Sequence, residues 1–137
     1  MDTNNKQDVF VRVVSSWVDA GIGLPGVAGV PSVLGTGTLM AGGSASLNLS
    51  AAAPNAPCVL FVSLTSAPVP FKGGMLYAFP ALLQVPLLTN GGGSLQLPFV
   101  WPGGVPAYVE FFFQYAILDG AALNGISLSN AISGLST

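Results

Sequence analysis

The chain has no histidine, one cysteine and only eight charged residues among 137. Without histidine there is no Ser-His-Asp or Cys-His triad, no imidazole metal ligand and no imidazole general base, which removes the working parts of most enzyme classes. Five carboxylates remain: Asp2, Asp8, Asp19, Glu110 and Asp119. Only Glu110 and Asp119 fall in one strand-like region, and extended chain at ~3.3 Å per residue would hold them roughly 30 Å apart, too far for paired carboxylate catalysis. The expectation is a chain with no catalytic residues, no cofactor and no metal site. One cysteine allows no internal disulfide, and Cys58, at the head of an apolar run, reads as a small buried hydrophobe.

Charge is the scarcest property. Asp, Glu, Lys and Arg make up 6% of the chain, where soluble domains carry about 25%. A folded monomer of this size exposes on the order of 6,600 Å², so each charge would serve about 800 Å² of surface. A standard protein interface takes about 800 Å² from each partner. Two or three such contacts would cover much of this exterior, so the composition is that of a subunit, with a homo-oligomer or a larger particle as the expected partner. Three cations and a net charge of −2 cannot neutralise a run of phosphates, which argues against nucleic acid. The longest apolar runs, 51–64 and 107–118, are broken by Pro54, Asn55 and Pro57 or contain Glu110 and Gln114. Neither supplies the ~20 apolar residues of a spanning helix. Arg12, Ser15 and Ser16 interrupt any secretion-signal core near the N-terminus.

Glycine and proline are abundant, 18 and 11 respectively, and leave almost no uninterrupted stretch for a helix. Between these breakers lie strand-like runs at 9–15, 44–51, 58–65, 75–79, 84–88, 94–100, 107–118 and 125–128. They predict an all-β fold: a single antiparallel β-sandwich, jelly-roll-like or Ig-like, with seven or eight short strands. Residues 1–19 would form an N-terminal arm and edge strand, and 20–137 the sandwich. Leu47 and Leu49, then Leu95, Leu97 and Phe99, alternate with polar neighbours and predict sheets with one buried face. In 107–118, Val109, Phe111, Phe113, Tyr115 and Ile117 form the expected core face, while Tyr108, Glu110, Phe112 and Gln114 share the other. Aromatic residues on that second face are expected to be covered, with a neighbouring subunit as the candidate cover.

Residues 20–31 read as a long irregular connection. Asn90-Gly91-Gly92-Gly93 and Lys72-Gly73-Gly74 read as hairpin loops. Asp119-Gly120 reads as a turn after a strand, in preference to a calcium site built with Asn124 or Asn130. Trp17 and Trp101 are read as packing residues first and sugar platforms second. The arm is expected to join a sheet edge on an adjacent copy by strand addition. The candidate interface therefore comprises Val9, Val11, Val13, Trp17, Tyr108 and Phe112.

Between residues 21 and 133 several short motifs occur in a fixed order: Gly-Leu-Pro-Gly at 23–26, Val-Pro at 30–31, Ala-Pro-Asn-Ala at 53–56, Gly73-Gly74, Leu-x-Leu-Pro at 95–98, Phe113-Gln114-Tyr115, Leu118-Asp119 and Ser129-Asn130-Ala131. In these the chain resembles a small β-sandwich module found near the C-termini of secreted proteins in planctomycetes and some proteobacteria. The resemblance implies an antiparallel sandwich with a conventional core and carries no activity or ligand. Composition adds the functional expectation: a non-enzymatic structural subunit, first a virion component such as a capsid decoration protein assembled in the host cytoplasm. The alternatives are an extracellular or cell-surface filament subunit, and a carbohydrate-binding module using Trp17 or Trp101.

Overall fold

The computed structural model describes residues 17–137, so Val9, Val11, Val13, the arm and the strand expected at 9–15 lie outside the described residues. The described chain is all β: β1 (Trp17–Gly21), β2 (Ser32–Gly37), β3 (Ser44–Ser50), β4 (Pro57–Ser63), β5 (Val69–Phe71), β6 (Gly74–Leu76), β7 (Leu83–Leu88), β8 (Leu95–Val100), β9 (Glu110–Leu118), β10 (Ile126–Leu128) and β11 (Ala131–Leu135). One antiparallel sheet runs β1-β11-β9-β4-β7 with β10 also on β9, and a second runs β2-β3-β8. The β5–β6 hairpin stands apart, turning at Lys72 and Gly73 with φ of 52° and 93°, as two-residue turns of this kind require.

The inner faces meet in one cluster. Leu47 and Leu49 of β3 oppose Leu60 of β4 and Phe111, Phe113, Tyr115 and Ile117 of β9. The alternation read in β3 and β9 therefore places the core as expected. The described residues form eleven strands rather than the seven or eight expected, because β1, β2, β5 and β11 carry glycine or proline where a sequence reading sees breakers. Two of those glycines serve packing. A Cβ on Gly35 of β2 would lie 2.2 Å from the Trp17 indole, and one on Gly134 of β11 would lie 2.8 Å from it. Bare backbone at both positions lets the indole slot between the sheets, where it meets the Phe113 ring at a centroid distance of 5.6 Å and donates from Nε1 to the Gly37 carbonyl at 3.0 Å.

A bulge completes that side. β10 and β11 run along the same side of β9, but the pairs Leu128↔Ala116 and Ile132↔Phe113 enclose three residues on one strand and two on the other. Ser129 fills the gap. Its hydroxyl accepts from Tyr115 N–H at 2.9 Å and donates to the Asn130 carbonyl at 2.8 Å. The extra residue re-aims Asn130 toward the second sheet. There its Oδ1 accepts from Val33 N–H at 2.7 Å while its Nδ2 donates to the Val33 carbonyl at 3.2 Å and to Asp19 Oδ1 at 3.1 Å. Trp17 and Asn130 thus bind β1 and β11 to β2 along one margin of the sandwich.

Two expectations are corrected. The Asn90 loop is not a hairpin, because β7 pairs with β4 and β8 with β3. Asn90 does make a tight turn, its Oδ1 accepting from Gly92 and Ser94 N–H, but the turn carries the chain from one sheet to the other. The outer face of β9, for which a neighbouring subunit was expected, is covered at Gln114 by this chain. Gln114 is fully buried; its Oε1 accepts from Tyr77 N–H at 2.8 Å and its Nε2 donates to the Met75 and Ser129 carbonyls at 3.1 Å each.

Candidate functional site

Among the described residues, the margin opposite Trp17 is open. β7 ends one sheet and β8 the other, and both carry a proline in mid-strand, Pro86 and Pro98. Proline fits a sheet edge with its nitrogen toward the free side, since it has no N–H to give a ladder. The inward side chains of these two strands, Val85, Leu87, Leu95, Leu97 and Phe99, are only partly buried against the core. Between them lies a cleft of about 380 Å³.

Its wall is wholly apolar. Leu60 and Val62 of β4 and Phe111 and Phe113 of β9 form the floor; Leu82, Leu83 and Val85 stand on one side, and Leu97, Phe99 and Trp101 on the other. Trp101 is held by rings on both flanks, Phe111 edge-on at 4.9 Å and Phe99 at 6.2 Å. Its buried indole N–H meets no acceptor among the described residues, a deficit that costs about 1–3 kcal/mol in a protein interior. At the rim Leu82 and Leu83 are exposed by 55% and 56%. Exposed leucines thus border an apolar cleft between two sheet edges.

Cys58 and Tyr115 are titratable side chains buried in the core. Burial pushes the Cys58 thiol up to about 11, so at neutral pH it stays protonated and a poor nucleophile. Tyr115 is fully buried, and its phenol is raised well above its ordinary value, first by burial and then by Cys58. Asp119 forms the expected turn: Oδ1 accepts from Ala121 N–H at 3.0 Å and Oδ2 from Val27 N–H at 2.9 Å. Both oxygens serve backbone, and Asn130 is engaged with Val33 and Asp19. Among the described residues no three His, Cys, Asp or Glu side chains gather as a metal site would need, and no helix is long and apolar enough to cross a membrane.

The candidate interface residues within the described chain scatter. Trp17 points inward and packs between the sheets. Phe112 is half-buried on the outer face of β9, between Ser133 and Ser63 in the ladder. Tyr108 is not in the strand; it occupies a turn before β9 with φ of 64°, donates from its N–H to the Ser136 carbonyl and is 80% exposed. The strand reading failed there because a left-handed residue cannot continue a pleat. Sequence reasoning missed the cleft, although Pro86 and Pro98 were a usable sign of edge strands. No family model, curated protein or solved structure matches the chain.

Proposed function

We propose that this chain is a non-enzymatic assembly module that packs against other protein subunits through the open margin between β7 and β8. The observation that carries the reading is the cleft itself: carbon-lined, bordered by exposed leucines and free of charged side chains. The scarcity of charge over the whole sequence supports it. A virion decoration protein is the first setting proposed, and an extracellular or cell-surface filament, in keeping with the resemblance to secreted β-sandwich modules, the second. A sugar-binding role is not favoured, since Trp101 is buried among rings and Trp17 is wedged between two glycines.

The test is the solution mass of the full chain by light scattering across micromolar concentrations, beside Leu83→Lys. Leu83 is more than half exposed at the cleft rim, so the variant keeps its fold by circular dichroism. The expected result is a defined oligomer for the full chain and a shift toward monomer for the variant. A monomer at every concentration overturns the proposal.

A further inference from the structure

The open margin has a matching segment in the same chain. Residues 9–14, Val-Phe-Val-Arg-Val-Val, place Val9, Val11 and Val13 on one face of an extended strand at ~6.6 Å intervals. Their β-branched side chains suit a cleft between two sheets. Reach decides whose cleft they enter. Trp17 lies opposite Gly134, which lies opposite Phe111, so the chain before Trp17 leaves β1 at the end of the sandwich where Phe111 lines the cleft. It leaves, however, at the far margin. β1 and β7 are four strand spacings apart in the order β1-β11-β9-β4-β7, roughly 19 Å at ~4.8 Å each. From Val14 to Trp17 there are three residue steps, which span at most ~11 Å. A strand at residues 9–14 cannot lie along its own β7.

Resting on the assembly reading above, we propose that residues 9–14 of one copy enter the seam between β7 and β8 of a second copy, Val9, Val11 and Val13 toward the cleft. The prolines define how it is held. Pro86 and Pro98 each remove one outward N–H from the middle of an edge, so neither β7 nor β8 accepts a full added ladder and sheet growth from copy to copy is blocked. The incoming segment is held chiefly by side chains in the cleft, where it would lie against the Trp101 ring that lines the wall. A cleft of about 380 Å³ also falls in the size range of small-molecule sites, which makes an apolar ligand the competing occupant.

The experiment uses two full-length chains in a Cys58→Ala background, one carrying Val11→Cys and the other Val85→Cys, mixed and oxidised. The expected product is a covalent pair whose peptide map joins positions 11 and 85. In the uncrosslinked protein, the Trp101 indole N–H signal is expected to move with concentration while that of Trp17, already bonded to Gly37, stays fixed. Val11→Asp should weaken association on the order of 100-fold, because an unpaired charge would enter the cleft. A disulfide forming within one chain in the combined variant overturns exchange between copies. A defined oligomer without the 11–85 link overturns the seam as the docking site while leaving assembly intact, as does an added apolar ligand that shifts Trp101 without changing the mass. A monomer throughout overturns both proposals.

Discussion

Gln114 satisfies three backbone groups: the Tyr77 N–H and the Met75 and Ser129 carbonyls. Leucine would fill nearly the same volume and leave all three without this partner in a buried place. Gln114→Leu should therefore lower stability by about 3 kcal/mol or more, read as a reduced urea midpoint at unchanged m-value. Cys58 acts in the opposite sense, since its contribution depends on remaining uncharged. An unfolded thiol ionises near 8.5, whereas burial holds the folded one near 11. Stability owed to the protonated thiol is thus complete below about pH 8.5 and falls as pH rises toward 11, where the unfolded chain binds fewer protons, by up to roughly 3 kcal/mol. Tyr115, raised in the same direction, begins to act only above its ordinary value of about 10. Urea melts from pH 7 to 11 should show the wild-type chain weakening from about pH 8.5 and Cys58→Ala only from about pH 10.

At the level of elements, the strands with alternating large apolar residues were legible in the sequence and the strands made by packing against one bulky residue were not. β3 and β9 declare themselves through Leu47, Leu49 and the Phe111-to-Ile117 alternation. β2 has Val33 as its one buried side chain in the core cluster; it is a strand because six of its residues pair with β3 and because Gly35 admits Trp17. Nothing within six residues of Gly35 announces that role, since Trp17 is 18 positions away in sequence. The open margin was hidden for a similar reason: it depends on which sheet each of β7 and β8 joins, and the glycine turn between them suits a hairpin equally well. The role of Gly35 has a sharp check. A methyl there meets an indole wedged from two sides, so Gly35→Ala should cost about 2–3 kcal/mol and weaken the Trp17–Gly37 bond, seen as faster exchange of the Trp17 indole N–H. Gly120→Ala is the control: its Cβ would meet nothing within 4 Å, and its stability should stay within about 0.5 kcal/mol of the parent.

For the molecule as a whole, the two margins of the sandwich have opposite characters. One is bound by an indole and an asparagine that cross between sheets; the other is crossed by the chain itself at the Asn90 turn and exposes leucines beside a carbon-lined cleft. With eight charges in the chain and none lining that cleft among the described residues, the association proposed through it would draw on apolar burial rather than on steering by charge. The two sources respond differently to salt. Charge-driven contacts weaken as added salt shortens the screening length from about 10 Å at 0.1 M to about 3 Å at 1 M. Apolar contacts do not weaken in this way, and sulfate strengthens them by being excluded from protein surface. If the chain assembles as proposed, the dissociation constant is therefore expected to change less than about twofold between 0.1 and 1 M sodium chloride, to fall in sodium sulfate, and to carry a negative heat-capacity change of association. A tenfold loss of affinity in sodium chloride would place the contact among the few charged residues and away from the β7–β8 margin.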